Sequence, residues 1–177
     1  MPTTTQSFWR DANRVPITQN GLLVKKSYTF SSTGTLVVPI FSITGTVLVN
    51  ALYGIVTTVL AGNHRVGAFR INDQTAQVQI TSATGPTMDA APVGSMIIAD
   101  VLAATAASFK SSAAGAVLQP ATAGVNIFSG SIITQKTGSI ETDIEYRFTS
   151  STNPTTGAMD FFCGFIPLSA DGNVTAT

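Results

Sequence analysis

Hydrophobic and polar residues alternate along much of the chain. Gln77 and Gln79 alternate with Val78 and Ile80, and Ile144, Tyr146 and Phe148 share one face while Asp143, Glu145 and Arg147 share the other. A period of two marks strands with one buried face. Residues 22–30 and 35–43 favour strands, with SSTG at 31–34 as the turn between them. Asn20-Gly21 sits between extended flanks and supplies the positive φ angles of a type I′ hairpin turn. Pro39 cannot donate a ladder hydrogen bond, which predicts an edge strand or a bulge. VGAFRIND and TAQVQIT predict a strand pair, followed by a loop over 81–95 broken by Gly85-Pro86 and Pro92. NIFSGSIITQ, IETDIEYRFT and AMDFFCGFIPL, separated by turn-rich segments, predict a β-meander in the C-terminal third. Ala-rich residues 99–107 predict a short helical segment.

One run breaks the alternation. Residues 43–60, ITGTVLVNALYGIVTTVL, carry no charge, and no Asp, Glu, Lys or Arg occurs between Lys26 and Arg65. A membrane-spanning helix needs about 20 predominantly apolar residues. This run is diluted by Thr44, Gly45, Thr46, Asn50, Gly54, Thr57 and Thr58, and its Val, Ile and Thr content favours strands. It reads as one long strand, with Gly54 marking a bulge or bend where the ribbon changes sheet. Strict alternation places Val47, Val49, Ala51, Tyr53 and Ile55 on one face and Leu48, Asn50, Leu52, Gly54 and Val56 on the other. The first of these faces is the more continuously apolar. It lies either inside the chain's own sandwich or against a neighbouring subunit, since solvent-facing strands normally carry charge.

The expected fold is all-β: a single-domain β-sandwich or jelly-roll-like barrel, with the short helical segment near 99–107 as the exception. An N-terminal arm over 1–14 precedes one domain over 15–177, a division that suits a chain of 177 residues. Charged residues make up only 10% of the chain, and nine basic side chains balance nine acidic ones. Such a surface does not suit nucleic acid, which needs a basic stripe. It is also poorly protected against association. The N-terminus lacks a basic stretch followed by an apolar one, so no secretory signal is expected.

Candidate chemistry is sparse. His64, the one histidine, falls in a loop and reads as a surface or turn residue. Cys163, the one cysteine, lies among aromatics in FFCGF and reads as a core residue. Glu141, Asp143 and Glu145 recur at about 6.6 Å by strand rise, as on any solvated strand face, with Arg147 expected to pair with Glu145. No catalytic set, cofactor site or metal site is expected. Phe8-Trp9-Arg10, an aromatic pair and a cation on a polar arm, suits an anchor that docks on another surface or folds back on its own domain. Phe8, Trp9, Arg10, Val47, Val49 and Tyr53 are the interface candidates.

Five phrases, NRVPITQNGL, VNALYGIVTTVL, FRINDQTAQVQIT, TNPTTGAMDFF and PLSADGNVTA, resemble a group of small proteins encoded among virion genes of tailed bacteriophages. The resemblance runs from about Asn13 to Thr175, and its motifs are structural rather than catalytic. It implies a non-enzymatic virion protein of the capsid cement or decoration type, which binds and stabilises the major capsid protein shell. Such a protein would act as a homotrimer, pass through the host cytoplasm during assembly, and bind neither nucleic acid nor membrane. A tail or fibre component with a receptor- or glycan-binding face is the alternative.

Overall fold

The computed structural model describes residues 21–32, 35–62, 64–74, 77–81, 87–99, 108–110, 131–135, 142–149 and 155–177. The arm over 1–14, with Phe8, Trp9 and Arg10, lies outside them. So do Asn20 of the expected hairpin turn and residues 100–107 of the expected helical segment.

Eleven strands among the described residues build two antiparallel sheets: β1 (Leu22–Ser32), β2 (Thr35–Thr44), β3 (Thr46–Ala61), β4 (Arg65–Asn72), β5 (Gln77–Gln79), β6 (Met96–Ile98), β7 (Ser108–Lys110), β8 (Ser131–Thr134), β9 (Asp143–Thr149), β10 (Thr155–Pro167) and β11 (Asn173–Ala176). The first sheet runs β1-β10-β3-β6-β7, with β8 also on β3, and the second runs β11-β2-β9-β4-β5. Four nested antiparallel pairs, β1 with β10, β2 with β9, β3 with β6 and β4 with β5, alternate between the sheets. That is jelly-roll winding. The sheets stay a sandwich and do not close into a barrel.

The expected C-terminal meander does not form. β8 pairs with β3, β9 lies in the second sheet between β2 and β4, and β10 returns to the first sheet between β1 and β3. Short turns joining the strands suggested hairpins, but each connection crosses from one sheet to the other.

The uncharged run changes sheet, though not at Gly54. It begins in β2, turns at Gly45 and continues as β3. Gly45 has φ +58°, a conformation open to glycine at little steric cost, and this lets the chain cross the sandwich in one residue. The corner is held from outside: Ser169 Oγ accepts from Thr46 N at 2.7 Å, and Gln135 Oε1 accepts from Gly45 N at 3.1 Å.

Along β3 the buried side switches. Val49 pairs with Phe165 and Ala51 with Gly164, so Asn50 is an extra residue without a counterpart on β10. A bulge of this kind shifts the alternation by one. Val47 and Val49 therefore point into the core before it, and Leu52, Gly54 and Val56 point in after it. The expectation that Val47, Val49 and Tyr53 share a face is corrected: the two valines lie at 0% and 7% exposure between the sheets, while Tyr53 faces outward and is half-buried.

β2 carries a similar bulge at Ile40, between the pairs Pro39–Glu145 and Phe41–Ile144. Pro39 thus marks a bulge within a strand that is paired on both sides by β11 and β9. Ile40 and Phe41 are both fully buried. The bulge carbonyls find partners in the last residue: Thr177 N donates to Ile40 O at 3.3 Å and Thr177 Oγ1 to Pro39 O at 2.8 Å.

The core between the sheets is rich in large side chains, including Phe30, Phe41, Phe69, Tyr146, Phe148, Phe161 and Phe165, all essentially inaccessible. Gly54 lies against this layer. A Cβ there would sit 2.8 Å from Met159 Cε and 3.0 Å from the Phe161 ring. Gly54→Val should therefore overpack the core and lower unfolding stability by about 1–3 kcal/mol in urea titration. Ala51→Val, on the outward side of the same strand, should change it by less than about 0.5 kcal/mol.

Candidate functional site

The two outer faces of the sandwich differ in chemistry. On the first sheet the outward positions form rows across the strands. Leu23 faces Gly164 and Ala51, Lys25 faces Phe162, Tyr53 and Ile98, and Ser27 faces Asp160, Ile55 and Met96. A further row joins Ile166, Leu48 and Ile132. Leu23 and Ile132 are 61% and 66% exposed, and Leu48, Tyr53, Ile55, Met96, Phe162 and Ile166 are half-buried. The result is a largely apolar face on the outside of the molecule, interrupted by the exposed Asn50, whose amide oxygen lies over Gly164.

Its centre is a cross-strand ladder. Tyr53 and Phe162 stack with ring centroids 5.0 Å apart and planes 16° apart, and Lys25 Nζ lies 6.0 Å from the Phe162 centroid. Such pairs stabilise a sheet directly. On β1, β10, β3 and β6 the charges in these rows are Lys25 and Asp160, which form an ion pair at 2.7 Å, and Lys110 of β7 pairs with Met96 where its row meets the sheet edge. Burial works to raise the Asp160 pKa, but hydrogen bonds from Lys25 and Ser27 and the Lys25 charge hold it below its usual value. At this exposure the pair adds little stability.

The outer face of the second sheet is polar. Glu145, on the central strand β9, accepts from Arg70 Nε at 2.6 Å and Asn72 Nδ2 at 2.9 Å. Arg70 also donates to Gln77 Oε1 at 2.7 Å. The expected partner Arg147 is displaced by Arg70, which stands directly opposite Glu145 across the β4–β9 ladder. The alternation of Asp143, Glu145 and Arg147 is as expected, but the face is not simply solvated: both carboxylate residues are buried by their neighbours. With each Glu145 oxygen already accepting a hydrogen bond, this carboxylate is a structural tie. Glu141 lies outside the described residues.

His64 is not a surface residue. Just ahead of β4, it is fully buried, stacked on Phe148 at 4.5 Å and met edge-on by Phe30 at 4.9 Å. Its Nε2 is 2.8 Å from the Tyr146 hydroxyl, which donates in turn to Met88 Sδ at 3.7 Å. The other ring nitrogen, Nδ1, has no hydrogen-bond partner. Burial lowers the His64 pKa to about 3 and raises that of Tyr146 above its ordinary value. Neither group exchanges protons near neutral pH, so the pair locks the aromatic core and does not provide acid–base chemistry. Cys163 is a core residue as expected, with its thiol pushed up to about 12 by burial.

Among the described residues no group of three or more His, Cys, Asp or Glu side chains is placed to hold a metal ion. No described helix is long and apolar enough to cross a membrane. No protein-family model, curated protein or solved structure matches the chain. Of the interface candidates, the structure places Tyr53 on the apolar outer face and Val47 and Val49 beneath it. Phe8, Trp9 and Arg10 lie outside the described residues. Sequence reasoning passed over Leu23, Leu48, Phe162, Ile132 and Ile166. A signal existed for Phe162 and Ile166: they share the parity of Asp160, whose charge marks the outward face of β10.

His64 also makes stability depend on pH. The unfolded chain binds a proton at this imidazole below about pH 6.5, whereas the folded chain does so only near pH 3. The stabilisation is therefore complete above pH 6.5 and is lost as pH falls towards 3, by at most about 1.4 kcal/mol per pH unit. His64→Phe should flatten this part of the stability curve, as read by urea unfolding between pH 7 and pH 4.

Proposed function

We propose that the protein is a non-enzymatic structural component of a tailed-bacteriophage particle: a capsid cement or decoration protein that binds the major capsid protein shell as a homotrimer. The observation that carries this reading is the scarcity of charge, only 10% of the residues, which leaves the surface poorly protected against association. The bacteriophage character rests on the sequence resemblance over residues 13–175.

The winding supports the reading without deciding it. Jelly rolls occur in viral capsid proteins, but also in lectins and cupins, and a fold does not fix a function. A tail or fibre role in glycan binding has less support. Sugar recognition of this kind needs an aromatic face free to stack on a ring, and one face of Phe162 is taken by Tyr53.

Electron cryomicroscopy of the virions that carry this chain tests the assignment. Density for the jelly roll should appear on the outside of the capsid shell, in groups of three. Density confined to the tail would contradict it. In parallel, the purified protein should have the solution mass of a trimer.

A further inference from the structure

We propose that the apolar outer face of the first sheet is the docking site for this chain's own N-terminal segment Phe8-Trp9-Arg10. The inference concerns the polypeptide itself and holds whether or not the protein decorates a capsid.

The size of the face favours a short segment over a whole subunit. Four strands about 4.8 Å apart, crossed by seven residues at about 3.3 Å each, give roughly 300 Å². A stable interface between two proteins needs about 800 Å² on each side. Two aromatic side chains bury about 150–250 Å² each, which matches the available face. Phe8 and Trp9 are such a pair, set in an otherwise polar stretch.

Position favours the chain's own segment. The residues before Gly21 lead directly into β1, which is the edge strand of this sheet. Gly21 precedes Leu22 in register, and the ladder row of Lys25, Phe162 and Tyr53 begins four residues further along β1. The centre of the face is thus about 16 Å from Gly21, measured along and across the strands. The ten residues 11–20 can span up to about 35 Å. A tethered anchor within reach meets its site at a high effective concentration, ahead of the same segment from another molecule. Arg10 follows the aromatic pair and can keep its charged head at the polar rim, where Asp160 and Ser27 lie, while its stem covers apolar surface.

Trp9 is the single tryptophan of the chain, so intrinsic fluorescence reads this segment alone. In the purified full-length protein its emission should be blue-shifted and several-fold less quenched by acrylamide than free tryptophan, at all protein concentrations. Leu23→Asp and Ile132→Asp alter mostly exposed side chains, so they should leave the fold intact by circular dichroism. Each should move Trp9 emission to the red and restore quenching. Val78→Asp, on an exposed residue of the second sheet, should change neither. If an Asp variant unfolds, Leu23→Ser and Ile132→Ser carry the same test. Solvent-like Trp9 emission in the parent protein would overturn the proposal. So would protection that disappears on dilution, which means docking on another copy, or protection that survives both face variants.

Discussion

The arrangement of this molecule depends on one extra residue. Asn50 has no counterpart on β10, and the alternation of β3 shifts by one at that point. Without the shift, Val47 and Val49 could not face the core together with Leu52, Gly54 and Val56 along one central strand. With it, the inner side of β3 is apolar throughout, and Ala51, Tyr53 and Ile55 are delivered to the outside. The same ribbon therefore supplies both the middle of the core and the middle of the outer face. Ile40 does the equivalent work on β2, turning two consecutive large side chains inward.

The remaining features tie these ribbons together. β9 puts Ile144, Tyr146 and Phe148 against the first sheet, and Tyr146 holds the imidazole of His64 in place. A neutral histidine at this site suits burial among rings, since an imidazolium there would have lost its hydration without gaining an anion. On the outside of the second sheet the desolvated Glu145 is matched by Arg70 and Asn72, as a buried carboxylate requires. The last residues close the sandwich: β11 pairs with β2, Thr177 satisfies the carbonyls freed by the Ile40 bulge, and Lys26 donates to the Thr177 main-chain oxygen.

Much of the fold was legible wherever period-two alternation was clean. The faces of β9 follow directly from Asp143 to Phe148, and Pro39 announced its bulge because proline lacks the amide that a ladder needs. The bulge at Asn50 left no such mark. Asparagine has no backbone requirement that singles it out, so strict alternation carried Val47, Val49 and Tyr53 onto one face. Gly54 drew attention as a bend, yet its lack of a side chain makes room for Met159 and Phe161. The sheet change belongs to Gly45, four residues earlier than the bulge at 49–51. Pairing between distant strands was also hidden, since a short turn looks alike in a meander and in a crossover between sheets. His64 read as a loop residue because the aromatic rings that bury it, at positions 30, 146 and 148, are far away in sequence.

The parity switch can be measured directly by single-cysteine substitution along β3 at positions 47, 49, 51, 52, 53, 55 and 56, with thiol-labelling rates taken in the folded protein. Cys163 adds no background, because it is buried and its thiol is pushed up to about 12. In the Leu23→Asp background, which frees the outer face, cysteines at 51, 53 and 55 should label readily, while those at 47, 49, 52 and 56 should be protected until the chain unfolds. Equal reactivity at 47, 49, 51, 53 and 55, with the even positions behaving oppositely, would mean an unbroken alternation and would contradict the account.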